Sequence, residues 1–158
     1  MGKKIKWGIL GSAHIATEHV IPAMLSCQYG EVYAIASRST EKAQNIAEQF
    51  GIPECYGSYE ELLVDKEVDA IYIPLPNHLH VQWAIKALEA DKHVLVEKPV
   101  GLSSKEAERL LQETKKYPHL KVMEAFMYRH HPQWIKVKEL VDQKAIGDIK
   151  TIQSSFSF

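Results

Sequence analysis

The chain has 158 residues, 46% hydrophobic and 25% charged, enough to bury a real core in one domain or in one domain plus a fragment. With 19 Lys and Arg against 20 Asp and Glu the formal net charge is -1, so no global basic field attracts nucleic acid or an anionic membrane. Only two cysteines occur, Cys27 and Cys55, without paired spacing; that argues against a disulfide framework and suits reduced thiols in a cytoplasmic protein.

The basic N-terminus, "MGKKIKWGIL", has an apolar run too short for a signal peptide core or a membrane span. A myristoylation signal would need Ser or Thr where Lys6 stands. Beyond it, short β-type runs alternate with helical patterns, which predicts an α/β fold: a Rossmann-type, doubly wound, mostly parallel sheet. Ile5 to Leu10 reads as a first strand and Ile15 to Leu25 as a helix that Pro22 should kink or shorten. Val32 to Ala36 is a second strand, and Glu41 to Phe50 a helix closed by Gly51. A brief strand at Glu54 to Tyr56 leads to a capping box, Ser58 with Glu61.

Val68 to Ile73 is β-branched and apolar, and "PLPN" (Pro74 to Asn77) stops it. Leu79 to Ala90 is helical, His93 to Val96 is a strand, and Ser103 with Glu106 is a second capping box, opening a helix to about Tyr117. Leu120 to Phe126 is a sixth strand, and Pro132 to Gln143 a helix with proline in its first turn. Lys150 to Phe158 begins a strand-like stretch with no stop. These elements suggest two parts: residues 1–125 as a nucleotide-binding domain, and residues 126–158 as a connecting helix and the first strand of a truncated C-terminal α/β domain.

The turn after the first strand reads "WGILGSAHIA". A strand-turn-helix loop aims backbone N–H groups and a helix N-terminus at a pyrophosphate. Gly11 holds the place of the sharp turn, but Ala13 and Ala16 stand where a dinucleotide fingerprint has its second and third glycines. Alone, the pattern also fits a plain small-residue turn. The end of the second strand adds information: it carries Ser37 and Arg38 where an NAD site presents an acidic residue to the adenosine ribose. Arg38 offers a planar cation suited to a 2′-phosphate, with Lys42 one turn into the next helix to assist, so NADP(H) is favoured over NAD(H). The alternative is a solvated cation at a helix start.

Two further groups sit at strand ends, where open α/β sheets bind ligands. In Pro74 to His80, Asn77 is a natural N-cap, and His78 with His80 lacks the acidic or Cys partner that would make a metal site. Glu97-Lys98-Pro99 follows "HVLV". A lysine there is placed to exchange a proton with a substrate oxygen, and Pro99 stiffens the loop, a cis Lys98–Pro99 bond being one way to do so. The competing reading is an exposed Glu97–Lys98 ion pair.

The stretches "WGILGSAHIA", "AIASRSTEKA", "VDAIYIPLPNHLH", "HVLVEKP" and "EAFMYRHHPQ" occur in an order and spacing that resemble the glucose-fructose oxidoreductase / inositol dehydrogenase / MocA family, in its dihydrodiol dehydrogenase-like, D-xylose dehydrogenase-like or anhydrofructose-reductase-like branches. The resemblance implies a cytoplasmic NAD(P)-dependent oxidoreductase acting on a sugar, polyol or dihydrodiol, with a C-terminal domain that covers the substrate and mediates homo-oligomerisation. By the same resemblance Gly11, Ser12, Ala13, His14 and Ile15 line the pyrophosphate, and Ser37 and Arg38 meet the ribose and its phosphate. Leu75, Pro76, Asn77 and His80 border the cofactor, Glu97 lies near the nicotinamide ribose, Lys98 is the catalytic lysine and Arg129 faces the nicotinamide end. No metal is implied. The family's second catalytic motif, an Asp with a Tyr or His, is absent from these residues, so the chain alone is expected to be catalytically poor. A non-catalytic NAD(P)-binding regulator of the same fold is the rival reading.

Overall fold

A computed structural model describes residues 3–157; Met1 and Gly2, where a lipidation signal was weighed, and Phe158, the end of the expected last strand, lie outside the described residues. The chain divides into two compact units between Ala125 and Phe126.

The first unit alternates strand and helix: β1 (Ile5–Leu10), α1 (Ile21–Leu25), β2 (Gly30–Ala36), α2 (Thr40–Phe50), β3 (Glu54–Tyr56), α3 (Tyr59–Val64), β4 (Ala70–Ile73), α4 (His80–Glu89), β5 (His93–Val96), α5 (Ser104–Thr114) and β6 (Val122–Glu124). The strands form one sheet in the order β3-β2-β1-β4-β5-β6, and every pairing is parallel. A parallel sheet is covered on both faces, which is why β4 reads "AIYI" with all four residues buried rather than as an apolar–polar alternation. Successive side chains then feed opposite cores. Ile71 and Ile73 join Leu62, Ala84 and Leu88 from α3 and α4, while Tyr72 joins Ile21 and Ala47 from α1 and α2.

Proline decides the first helix. Pro22 has no N–H to give and its ring crowds the carbonyl of Glu18, so the backbone widens into a π-helical stretch over Ala16–Val20. There the Ile21 N–H reaches back five residues to Ala16 O. The sequence predicts a kink, and the π turn is the form it takes. Ser58 and Glu61 close a full capping box. At α5 only half of the predicted box forms: Ser103 accepts from the Glu106 N–H, but the Glu106 carboxylate takes the Leu102 N–H instead. Asn77 is not the N-cap predicted for α4, because a 3-10 turn over Asn77–Leu79 intervenes and α4 starts without a side-chain cap. β6 is shorter than its apolar pattern.

Asp69, just before β4, accepts the Lys6 N–H at 2.9 Å and pairs with the Lys3 ammonium at 3.2 Å. Burial pushes its carboxyl up, but these partners outweigh it and hold the group below its ordinary value. Its stabilisation is therefore present above the unfolded value and is lost as pH falls through the lower folded one. Asp69→Asn should cost about 1 kcal/mol near neutral pH, and urea midpoints should show the gap to the parent chain narrowing in acid.

The second unit contains a 3-10 turn, Met127–His130, and α6 (Pro132–Asp142), capped by the His131 ring at the Gln133 N–H, with Pro132 at its first position. Residues 150–157 carry no helix or strand, so the strand-like pattern there does not form a strand. No helix among the described residues is long and apolar enough to cross a membrane.

Candidate functional site

Because all six strands are parallel, β1, β2 and β4 end at one edge of the sheet, where the order reverses between β1 and β4. Such a switch point leaves a crevice outside the strand ends. Here it is a hollow of about 530 Å³. One wall is the turn after β1. Gly11 has φ +96°, a conformation side-chain-bearing residues rarely adopt, and its N–H donates to Ala36 O at 2.7 Å, tying β1 to β2. A Cβ on Gly11 would stand 2.9 Å from Leu75 Cδ2, so the turn lies flat against the opposite wall. Gly11→Ala is expected to destabilise the fold by about 1–2 kcal/mol, read as a lower urea midpoint. Ser12 and Ala13 continue the wall; the Ala13 carbonyl accepts from Ala16 N (2.9 Å) and Thr17 N (3.2 Å) and so opens the helix.

The floor at the end of β2 is Ser37, buried, whose hydroxyl accepts the Ser39 N–H at 3.3 Å. Arg38 and Lys42 stand exposed on the rim, and neither forms an ion pair among the described residues. The far wall is Pro74, Leu75 and Pro76 after β4, with Tyr59 from α3. Two unpaired cations facing a glycine turn make a receptor for anionic oxygens.

Beside the crevice, Glu97, Lys98 and Pro99 follow β5. The Tyr72 hydroxyl donates to Glu97 Oε1 at 2.7 Å, and Glu97 Oε2 accepts the Lys98 N–H at 3.3 Å. Burial and this carboxylate both push the Tyr72 phenol well up, so it remains a neutral donor. With Glu97 engaged, the Glu97–Lys98 ion pair weighed from sequence does not form; Lys98 is exposed and unpaired among the described residues. Side chains from β6 and α4 anchor the loop beneath it. Val100 N–H donates to Glu124 Oε1 at 2.8 Å, and the Lys98–Pro99 peptide is cis.

His80 is fully buried. Its ring nitrogens meet two backbone carbonyls, Nδ1 at 2.7 Å from Pro99 O and Nε2 at 2.6 Å from Leu75 O. With both ring nitrogens engaged by the fold, His80 braces the crevice wall against the Lys98 loop.

Residues 5–126 match the oxidoreductase family with an NAD-binding Rossmann fold, GFO_IDH_MocA. The chain belongs to that family. It is 49% identical over 97% of its length to the uncharacterized oxidoreductase ORF334 of Rhizobium meliloti, of which it covers 46%. It is 43% identical over 96% of its length to the D-xylose 1-dehydrogenase (NADP(+)) 2 of Haloferax volcanii, again covering 46% of that protein. Among solved structures, KijD10, a 3-ketoreductase from Actinomadura kijaniata in complex with TDP-benzene and NADP, superposes with a TM-score of 0.84 at 41% identity, over 92% of this chain and 46% of that one. The chain thus spans about 46% of the length of these relatives.

Within the family's Rossmann unit, the residues expected at the site divide into three groups. Gly11, Ser12, Ala13, Ser37, Arg38, Lys42, Leu75 and Pro76 line one crevice. His14, Ile15, Asn77, Glu97 and Lys98 lie at the same strand ends but outside its lining, and Arg129 belongs to the second unit. Pro74 belongs to the strand-end group read from the sequence, whereas Ser39, Tyr59 and Tyr72 are not expected from it. Tyr59 immediately follows a recognisable cap, and Tyr72 alternates with Ile71 and Ile73, but neither pattern says what a hydroxyl faces. No group of three or more His, Cys, Asp or Glu side chains among the described residues is arranged to hold a metal ion.

Proposed function

We propose that the chain is the cofactor-binding part of an NADP(H)-dependent oxidoreductase that moves a hydride between nicotinamide and the carbinol carbon of a sugar, polyol or dihydrodiol. The observation that carries this reading is the crevice itself, in which the Gly11 turn, at a φ of +96°, faces two cations that are unpaired among the described residues, and no carboxylate among those residues lines it beside Ser37. An NADP(H) dinucleotide fits that donor set. The turn at Gly11, Ser12 and Ala13 would take the pyrophosphate, while Ser37, Arg38 and Lys42 would take the ribose and its 2′-phosphate. His14 and Ile15 would complete the turn, with Leu75, Pro76 and Asn77 along the other side. The same residues accept NAD(H) with the phosphate contacts unused.

When bound, nicotinamide supplies or accepts the hydride. The chain's part is binding and proton handling. Glu97, held by Tyr72, leaves the Lys98 ammonium unpaired and available to give a proton to the substrate oxygen during reduction, or as an amine to accept one during oxidation. A regulator has no use for an unneutralised lysine on so firmly anchored a loop, which favours the enzyme over the sensor. Substrate contacts, the second catalytic motif, the company of Arg129 and any homo-oligomer interface are assigned to residues outside this chain's first unit, in a cytoplasmic protein with no nucleic-acid or membrane partner. Absorbance at 340 nm tests the reading in the whole protein: NADPH-dependent reduction of a sugar-type carbonyl is expected, and absence of both turnover and NADPH binding would contradict it.

A further inference from the structure

Tyr59 is packed like a core residue but carries a polar atom that nothing in the fold uses. Its ring meets Trp83 edge-on at 4.9 Å and 89°, and only 7% of the residue is exposed. Its hydroxyl makes no hydrogen bond among the described residues, although buried tyrosine hydroxyls normally find a partner. Among the described residues no fully enclosed side-chain oxygen lacks a partner, so the little surface Tyr59 keeps includes its hydroxyl oxygen. That oxygen looks into the crevice: Tyr59 lines it with Gly11, Ser12 and Ala13, and the hydroxyl lies 3.5 Å from where a Cβ on Gly11 would stand.

We infer that Tyr59 is a further ligand of the cofactor, its hydroxyl donating a hydrogen bond to a pyrophosphate oxygen seated on the Gly11 turn. This rests on the dinucleotide reading of the crevice. The donor belongs to the pyrophosphate because it sits at the β1 turn, whereas Arg38 and Lys42 occupy the rim after β2. It serves NADP(H) and NAD(H) alike, since both carry the pyrophosphate, and so adds affinity without choosing between them. A neutral hydroxyl also does this without adding charge next to Arg38, which keeps the discrimination at the 2′-phosphate with the guanidinium.

Tyr59→Phe removes the oxygen and keeps the ring against Trp83. Titrating the parent chain and Y59F with NADPH, NADH and 2′-AMP, with fluorescence or calorimetric readout, tests the inference. Y59F should weaken NADPH and NADH by the same factor, about tenfold, leave 2′-AMP unchanged, and keep the parent's melting midpoint. Unchanged affinity for both dinucleotides would overturn it, as would loss confined to NADPH or a matching loss for 2′-AMP. Failure of the parent chain to bind either dinucleotide would overturn the crevice reading itself, and this inference with it.

Discussion

Replacing Lys98 with Met is expected to lower kcat of the whole oxidoreductase by about 10²–10⁴-fold, the usual range for removing a positioned proton donor. Met keeps the length and apolar stem of the side chain but has no proton to give. NADPH affinity should change little, because Lys98 lies outside the crevice lining and makes no contact that holds the loop. The Tyr72–Glu97 bond, the His80 brace and the Glu124–Val100 bond all persist in the variant. Steady-state kinetics beside a direct binding titration separate the two effects. Unchanged turnover would remove Lys98 from the chemistry, and a parallel loss of cofactor affinity would make it a binding residue instead.

Arg38→Ala should weaken NADPH by about 10–100-fold while leaving NADH within about twofold. The guanidinium is exposed and unpaired among the described residues, so in the free protein it neutralises nothing and its removal should leave stability nearly untouched. With a 2′-phosphate present it supplies a charge-assisted, planar fork that Lys42 reproduces only as a point charge. Lys42→Ala should therefore cost less than Arg38→Ala, again for NADPH alone. Dissociation constants for both dinucleotides, at two salt concentrations, report this, and equal losses for NADPH and NADH would assign Arg38 to another part of the cofactor.

Strand runs, parallel order and the crevice's charged rim could be read from residues, because each follows from local patterns: apolar runs, caps, and a glycine directly after a strand. Ser37 and Arg38 were legible for the same reason, standing at the end of β2 whatever the rest of the fold does. What escaped depends on contacts distant in sequence. Pro22 announces a disturbed helix, but the choice of a π turn over a break is made by the packing of Ala16 and Ile21 into the core. Asn77 has a cap's chemistry, yet the 3-10 turn after Pro76 moves the cap position two residues on, to Leu79. His80 ends a loop motif at the sheet edge, and its inward setting shows only when Pro99, from the loop after β5, meets the ring opposite Leu75. Tyr72 and Tyr59 read as core aromatics, and their hydroxyls gain meaning only from Glu97 and from the Gly11 turn.

The most direct test of the central claim is a titration of the unsubstituted chain with NADPH and NADH under identical salt. Saturable binding of both, with NADPH tighter by about tenfold or more, is the result expected of a glycine turn facing Arg38 and Lys42. NADH binding as tightly as NADPH, or no saturable binding of either, would contradict it.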